Sequence, residues 1–150
     1  MSVLISSCGT AGIVERSFVE EGTPSEDICS IVEVKKSEST SGKVKSFIWK
    51  IDENSPENLS LEDDFKEGYK IFISPGSHKI EVGCSWGLLH DRTFFTLEFD
   101  AIKGHNYAAK CEITGYVRMF SCKQDGWVEI IDIDTHEVVS KSDVLYDTCF

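Results

Sequence analysis

The chain has 150 residues, 41% of them hydrophobic and 11% aromatic, which is enough for one domain with a substantial apolar core. Fifteen Lys and Arg against 26 Asp and Glu give a formal net charge of −11. Phosphate backbones and anionic lipid surfaces are bound by clustered Lys and Arg, so this charge argues against a nucleic-acid partner and against direct binding to an anionic membrane. No apolar run is long enough for a transmembrane helix.

The N-terminal half carries few regular patterns. Residues 1–22 show no sustained periodicity and are predicted to form a flexible tether, and residues 23–150 are predicted to form a single domain. Runs rich in β-branched and aromatic side chains predict strands at 29–34 and 44–51. The polar, acid-rich stretch 52–66 predicts a solvated loop.

A first hairpin is predicted from a proline-glycine turn. The strand 69–74 alternates apolar and polar side chains and stops at Pro75. Pro75 and Gly76 fit the two central positions of a type II turn, because proline presets the first φ and glycine accepts a positive second φ. Alternation then resumes over 79–84, and the two strands are predicted to pair.

A second hairpin is predicted further along the chain. The cleanest alternation, 95–101, is followed by a glycine-containing turn at 103–106 and by another alternating run, 107–113. Residues 115–126 are predicted to be a loop, and 127–133, apolar on both faces, a strand in the middle of a sheet. About seven short strands with no convincing helix predict an all-β fold, an antiparallel β-sandwich.

The cysteines leave two redox interpretations open. No two are closer than eleven positions, so a CxxC zinc or thioredoxin-type motif is absent from the sequence. Disulfides in an oxidising compartment and free buried thiols in a reducing one both fit. Cys84 and Cys111 share a predicted inward face and Cys122 follows in a predicted loop, so a disulfide within this trio is predicted, the alternative being small core residues.

The polar residues offer little that is typical of catalysis or metal binding. The four histidines fall in predicted turns or loops without HxH or HxxxH spacing, and are interpreted as surface turn residues: His78, His90, His105 and His136. Asp132 and Asp134 form a D-x-D pair, and 62–64 is an acidic run, but both patterns fit a solvated surface better than a calcium loop. The sequence carries no nucleophile elbow. We therefore predict no enzyme activity, no cofactor and no metal.

Apolar side chains in two predicted loops form the remaining candidate site. They either cover the ends of the sandwich or form a protein-binding rim, and the sequence leaves both interpretations open. The candidate rim residues are Trp86, Leu88 and Leu89 in one loop and Tyr116, Met119 and Phe120 in the other.

Three segments resemble a pattern of small bacterial envelope proteins. Segments 69–82, 97–107 and 127–139 carry a PG-x-H turn, a G-x-x-Y turn and a D-x-x-T turn, with His136 where the last turn usually has glycine. This half of the chain resembles transthyretin-like (prealbumin-like) and PEGA-like β-sandwiches. The resemblance implies a transthyretin-like sandwich and implies little about function, because its motifs are turns rather than chemistry.

The same resemblance draws attention to the N-terminus. Residues 5–9, Ile-Ser-Ser-Cys-Gly, resemble a lipobox, which implies a lipid anchor on Cys8 although the preceding apolar stretch is too short for a signal peptide. The resemblance therefore implies a location at the periplasmic face of the bacterial cell envelope, in contact with membrane only through the anchor. The alternative is a cytoplasmic domain with six reduced thiols.

Two functions of different classes follow. The first is a non-catalytic interaction or scaffold module that presents loops or a sheet edge to an unknown protein partner in the cell envelope. The second is a small-ligand or carbohydrate-binding module that uses aromatic side chains as stacking platforms: Trp86, Tyr116 and Trp127. A solvent-exposed aromatic row would favour the second function.

Overall fold

The structure, a computed structural model, describes residues 13–33, 37–39, 42–55, 68–85, 92–118 and 121–148. Most of this part is β-strand, arranged in two sheets that share one core, so the prediction of an all-β sandwich is confirmed at that level. The strands are β1 Ile13–Ser17, β2 Cys29–Glu33, β3 Ser37–Ser39, β4 Gly42–Ile51, β5 Gly68–Ile73, β6 Gly76–Ser85, β7 Arg92–Ala101, β8 Asn106–Arg118, β9 Ser121–Asp132, β10 Val138–Lys141 and β11 Leu145–Thr148. A 3-10 turn occupies Ser25–Asp27. Among the described residues, no helix has the length and apolar character needed to cross a membrane.

The two sheets differ in size and in strand direction. The seven-stranded sheet has the order β1-β5-β2-β8-β9-β10, and β11 pairs with β9 beyond β10. In it β1 runs parallel to β5 and β2 runs parallel to β8. The four-stranded sheet has the order β3-β4-β6-β7 and is antiparallel. Strand β9 is paired along both edges, by β8 on one side and by β10 and β11 on the other.

Alternate residues from both sheets meet in the core. Fully buried side chains come from β2, β5 and β8 on one side and from β6 on the other, among them Ile31, Ile71, Tyr107, Ile80 and Val82. The strict alternation of the sequence in β6, β7 and β8 therefore reports burial, because successive side chains of a strand point to opposite faces.

A disulfide joins the sheets through this core. Cys84 of β6 and Cys111 of β8 are bonded, with a Cα–Cα distance of 5.9 Å and a sequence separation of 27. The chain was predicted to contain a disulfide, and this one lies within the predicted trio. The side chain of Cys122, the third member, lies outside the described part.

Both predicted hairpins are wrong, although the strands that compose them exist. Strand β5 pairs with β1 and β2, whereas β6 pairs with β4 and β7, so Pro75 and Gly76 carry the chain from one sheet to the other. Likewise, β7 pairs with β6 in one sheet and β8 pairs with β2 and β9 in the other, so β7 and β8 do not form a hairpin. A tight turn reverses the chain, but the choice between pairing and crossing depends on non-local contacts that a local pattern does not contain.

The true hairpins span segments that were predicted as loops. Strands β8 and β9 pair from Tyr107 opposite Asp132 to Arg118 opposite Ser121, so much of the predicted loop 115–126 is strand. The predicted tether is corrected too, because Ile13–Ser17 forms β1 and pairs with β5. Only two residues of β1 are apolar, and a strand this short at a sheet edge leaves no periodic signal. Residues 1–12 lie outside the described part.

A β-bulge shapes the outer face of the four-stranded sheet. Ile48 lies opposite Val82 and Lys50 lies opposite Glu81, so Trp49 is an extra residue in β4. The bulge keeps both Ile48 and Ile51 buried although they are three positions apart, and places Trp49 and Lys50 together on the outer face.

Candidate functional site

A cluster of hydrogen-bonded polar residues lies where the turn after β7 meets the turn after β9. Asp132, the last residue of β9, is only 1% exposed, although its side chain is a carboxylate. Its Oδ1 accepts hydrogen bonds from the backbone N–H groups of Asp134, at 2.9 Å, and Thr135, at 3.2 Å. This is the Asx-turn arrangement in which an aspartate stabilises the turn that it begins.

The other turn is bonded to the same two aspartates. The Nδ1 of His105 lies 2.7 Å from Oδ2 of Asp132, and the backbone N–H of Asn106 donates to Oδ2 of Asp134 at 2.8 Å. The side chain of Asn106 is held in turn by the hydroxyl of Ser30, which donates to its Oδ1 at 2.6 Å. We call His105, Asn106, Asp132 and Asp134 the turn clasp, because they join the β7–β8 turn to the β9–β10 turn.

The clasp shifts the pKa values of its two ionisable partners in opposite directions. The hydrogen bond to Asp132 raises the pKa of His105, its burial acts against this, and the negative charges of Asp132 and Asp134 add to the rise. Burial is the largest single influence on Asp132 and acts to raise its pKa. The hydrogen bonds from His105 and from two backbone N–H groups outweigh it, and the pKa of Asp132 is lowered. Both shifts favour the ion pair.

The start of β2 and the turn before it are hydrogen-bonded to the turn that carries His105. The N–H of Gly104 donates to the carbonyl of Asp27 at 3.1 Å, and the N–H of Ser30 donates to the carbonyl of His105 at 3.3 Å. The thiol of Cys29, which is 0% exposed, donates to the carbonyl of Ile102 at 3.1 Å. Burial raises the pKa of this thiol, against backbone hydrogen bonds that lower it, so Cys29 is held in the thiol form.

An apolar surface borders the clasp. Val138 of β10 lies opposite Ile131 of β9, and Ile133, two residues beyond Ile131, is on the same outer face of the sheet. Val138 is 51% exposed and Ile133 43% exposed, and Val139, the extra residue of a bulge in β10, is 38% exposed. We call Ile131, Ile133, Val138 and Val139 the edge patch.

The backbone of the same edge is protected. The hydroxyl of Ser140 donates to the carbonyl of Glu98 in β7 at 2.7 Å, which occupies an acceptor on the edge of the other sheet. The bulge at Val139 and the charge of Lys141 both disfavour the addition of another strand.

The interpretation of His78 as a surface turn residue is wrong. This residue lies within strand β6 and is only 9% exposed. Its Nδ1 is 2.5 Å from Oδ2 of Asp52, and its Nε2 is 2.6 Å from the carbonyl oxygen of Ser74. His78 thus ties the turn after β4 to the corner after β5, and its place in the inward alternation with Ile80 and Val82 was the available signal. His90 lies outside the described part.

Most residues of the predicted rim and anchor fall outside what the structure describes. These are Cys8, Trp86, Leu88, Leu89, Met119 and Phe120, together with the side chain of Tyr116, whose backbone belongs to β8. Trp127 is half-buried on the outer face of β9, where its Nε1 donates to Glu129 and the Nζ of Lys141 lies 4.8 Å from its ring centre. Lys141 thus occupies one face of that ring.

An aromatic cluster that sequence reasoning missed lies on the four-stranded sheet. Phe47, Gly83 and Phe94 are cross-strand neighbours, and the ring of Phe47 lies where a side chain at Gly83 would stand, 2.1 Å from an ideal Cβ. The ring of Phe94 meets Phe47 at 5.9 Å and Trp49 at 5.5 Å, both edge to face. Phe94 is 50% exposed.

Comparison with known proteins adds no relative. No family model matches this chain, and searches of curated proteins and of solved structures found no match.

Proposed function

We propose that this protein is a non-catalytic protein-interaction module of the bacterial cell envelope, and that it contacts its partner through the edge patch. One observation carries the proposal. Of the six large hydrophobic side chains that are exposed in the described part, three belong to the edge patch: Ile133, Val138 and Val139. Apolar side chains that gather on one surface mark an interaction site more often than scattered ones do.

The surroundings of the edge patch indicate the chemistry of the partner. Exposed carboxylates are next to patch residues in the sequence at Asp134 and Glu137, and the exposed Lys141 follows Val139 by two positions. An apolar centre with a charged rim is the usual anatomy of a protein interface. We therefore infer a partner surface with apolar side chains at its centre and basic residues around them.

The turn clasp favours binding by the edge patch. Asp132 lies between Ile131 and Ile133 and points inward, where His105 and two backbone N–H groups hold it. Because the patch is already ordered, little conformational entropy is lost when a partner binds.

A matched pair of substitutions tests the patch. A photo-crosslinking side chain is placed at position 138 or, as the control, at position 96 on the outer face of β7, and cross-linked proteins are identified in native cells. Affinity for the purified cross-linked protein is then measured for Val138→Lys and Thr96→Lys, which add the same charge. We expect cross-linking from position 138 alone and an affinity about tenfold lower for Val138→Lys only. Equal effects at the two positions would overturn the proposal.

The Cys84–Cys111 disulfide supports the envelope location, because structural disulfides persist in oxidising compartments. The lipid anchor on Cys8 remains part of this proposal. Its test is the intact mass of the protein from its native locus, where a triacylated chain beginning at Cys8 is expected. An unmodified chain with alkylatable Cys84 and Cys111 would show that the cytoplasmic alternative is right.

A finer classification as a transthyretin-like or PEGA-like sandwich belongs to the same proposal. His136, which takes the place of the usual glycine in the last turn, has a φ of 63°, in the region that glycine favours. The conformation supports the match at that turn. An experimental structure whose strand order differs from transthyretin-like sandwiches would exclude this classification.

A carbohydrate-binding function is favoured by a different observation, the cluster of Phe47, Trp49 and Phe94. Exposed aromatic rings on a sheet face can stack on sugars. Titration of the protein with mixed oligosaccharides, followed by tryptophan fluorescence, tests this alternative. Saturable binding that Phe94→Ser abolishes would support it, and an unchanged spectrum would exclude it.

A further inference from the structure

We propose that the turn clasp is a binding site for a divalent transition-metal ion, with Zn²⁺ as the best-fitting ion, held by His105, Asp132 and Asp134. One ring nitrogen of His105 and one carboxylate oxygen from each aspartate all lie within 4.8 Å of one another. The three residues come from two separate turns, so their convergence is a product of the fold and not of sequence proximity.

The ligand set fits this class of ion. Zn²⁺ takes imidazole nitrogen and carboxylate oxygen in protein sites, and many sites combine three protein ligands with one water. Ca²⁺ and Mg²⁺ prefer oxygen ligands alone and more of them. A histidine with two aspartates therefore favours a transition metal over a hard cation.

The three ligands differ in solvent exposure. Asp132 is 1% exposed, the side chain of His105 is 29% exposed, and Asp134 is exposed. An ion can thus reach the site from solvent and still be held by a buried carboxylate. Two carboxylates also offer the double negative charge that a divalent cation balances, so the ion would offset their mutual repulsion.

The ligand-bearing turns are ordered before any ion arrives, and an ion bound between His105 and Asp132 would replace the proton that now joins Nδ1 to Oδ2. Asp132 is fixed by the N–H groups of Asp134 and Thr135, and Asp134 accepts from the N–H of Asn106. The backbone of His105 is bonded on both sides, because its N–H donates to Ile102 and its carbonyl accepts from Ser30. Prior ordering of ligands reduces the entropy lost on binding, as it does for any preorganised site.

The metal site and the proposed interaction surface share a border at Asp134, but they can be tested separately. The clasp lies at the end of β9, whereas the edge patch presents the outward side chains of β9 and β10, and each has its own readout. Loss of the interaction in Val138→Lys leaves Zn²⁺ binding intact, and loss of Zn²⁺ binding leaves the apolar side chains of the patch exposed.

The experiment is a Zn²⁺ titration of the full-length chain, without an affinity tag and after removal of metals with EDTA. Calorimetry measures stoichiometry and affinity, and thermal unfolding with and without Zn²⁺ gives a second readout, because an ion that binds only the folded state raises Tm. The variants are His105→Gln and Asp134→Asn, and the amide introduced by Asp134→Asn would still offer an oxygen to the N–H of Asn106. His136→Gln is the matched control, since it removes an exposed histidine of the same turn that is not in the cluster.

We expect one ion per chain for the wild type and for His136→Gln, and an affinity lower by about tenfold or more for the other two variants. Amide NMR signals of residues 105 and 132–135 are expected to shift on Zn²⁺ addition. If His105→Gln fails to fold, Asp134→Asn decides the matter alone. A wild type that does not bind Zn²⁺, or binding that persists unchanged in Asp134→Asn, would overturn the proposal.

Discussion

The Nδ1 of His105 lies 2.7 Å from Oδ2 of Asp132, and this contact joins two turns that are 27 residues apart in sequence. A carboxylate that is 1% exposed normally destabilises a fold unless it is paired and hydrogen-bonded. Here the pair is completed by two backbone N–H groups on the other oxygen of Asp132. This end of the sandwich is therefore held in part by a buried, hydrogen-bonded ion pair.

The contact predicts a pH window for stability in the metal-free protein. The pKa of His105 is raised, so its contribution is complete below the ordinary histidine pKa of about 6.5 and is lost as pH rises through the folded-state value. The pKa of Asp132 is lowered, so its contribution is complete above the ordinary aspartate pKa of about 3.9 and is lost as pH falls through the folded-state value. The pair therefore stabilises most between about pH 4 and pH 6.5.

Urea unfolding in EDTA at a series of pH values checks this window. We expect the difference in unfolding free energy between the wild type and His105→Gln to be largest at about pH 5 to 6 and to shrink towards pH 9. His136→Gln, which removes a histidine outside the pair, serves as the control. A difference that stays constant from pH 5 to pH 9 would show that the charge of His105 does not contribute.

Strand positions were largely predictable from the sequence, and strand partners were not. The alternation of β6, β7 and β8 gave their inward faces correctly, because burial on one face imposes a period of two on the sequence. The connection through Pro75 and Gly76 was predicted as a hairpin and is a crossing between sheets. The same turn residues fit a hairpin and a crossing between sheets, so the outcome depends on which distant strands pair with β5 and β6.

In the candidate site, too, the individual residues were recognisable from the sequence and their spatial partners were not. Asp132 and Asp134 were recognisable as a D-x-D pair, and His105 as a turn residue, but their meeting depends on the pairing of β8 with β9. The edge patch had a weak signal in Val138 and Val139, which directly follow a turn. Their exposure could not be predicted, because it depends on β10 being the last strand of its sheet in that region.

Removal of the Cys84–Cys111 disulfide is expected to destabilise the fold strongly. The bond closes a loop with a sequence separation of 27, for which loop-closure entropy predicts a loss of about 3–4 kcal/mol in unfolding free energy. Chemical denaturation of the double variant Cys84→Ala/Cys111→Ala, compared with the oxidised and the reduced wild type, measures it. A reduced wild type with an unchanged denaturation midpoint would contradict the prediction.

Cys29 is expected to resist alkylation in the folded protein. Burial raises the pKa of this thiol, and the thiolate is the reactive form, so both access and chemistry disfavour reaction. Iodoacetamide labelling at pH 8, followed by mass spectrometry of the peptide that contains Cys29, is expected to proceed only after addition of urea. His105→Gln should accelerate labelling, since the thiol donates to Ile102 in the turn that His105 anchors. Rapid labelling of the native wild type would show that the first residue of β2 is not buried as described.

Alanine substitutions at two glycines with positive φ are expected to differ in cost, because only one of the two sites is crowded. Gly22 has a φ of 88° with no atom within 4 Å of an ideal Cβ, whereas at Gly104, with a φ of 75°, that Cβ would lie 2.9 Å from the carbonyl oxygen of Glu26. Alanine at either position incurs the cost of the left-handed conformation, about 1–2 kcal/mol. Gly104→Ala must in addition displace the backbone of the segment that supports the clasp, so it should be the more destabilising variant. Thermal and urea unfolding of the two variants measure the difference, and equal losses of stability would mean that the backbone at Glu26 moves aside freely.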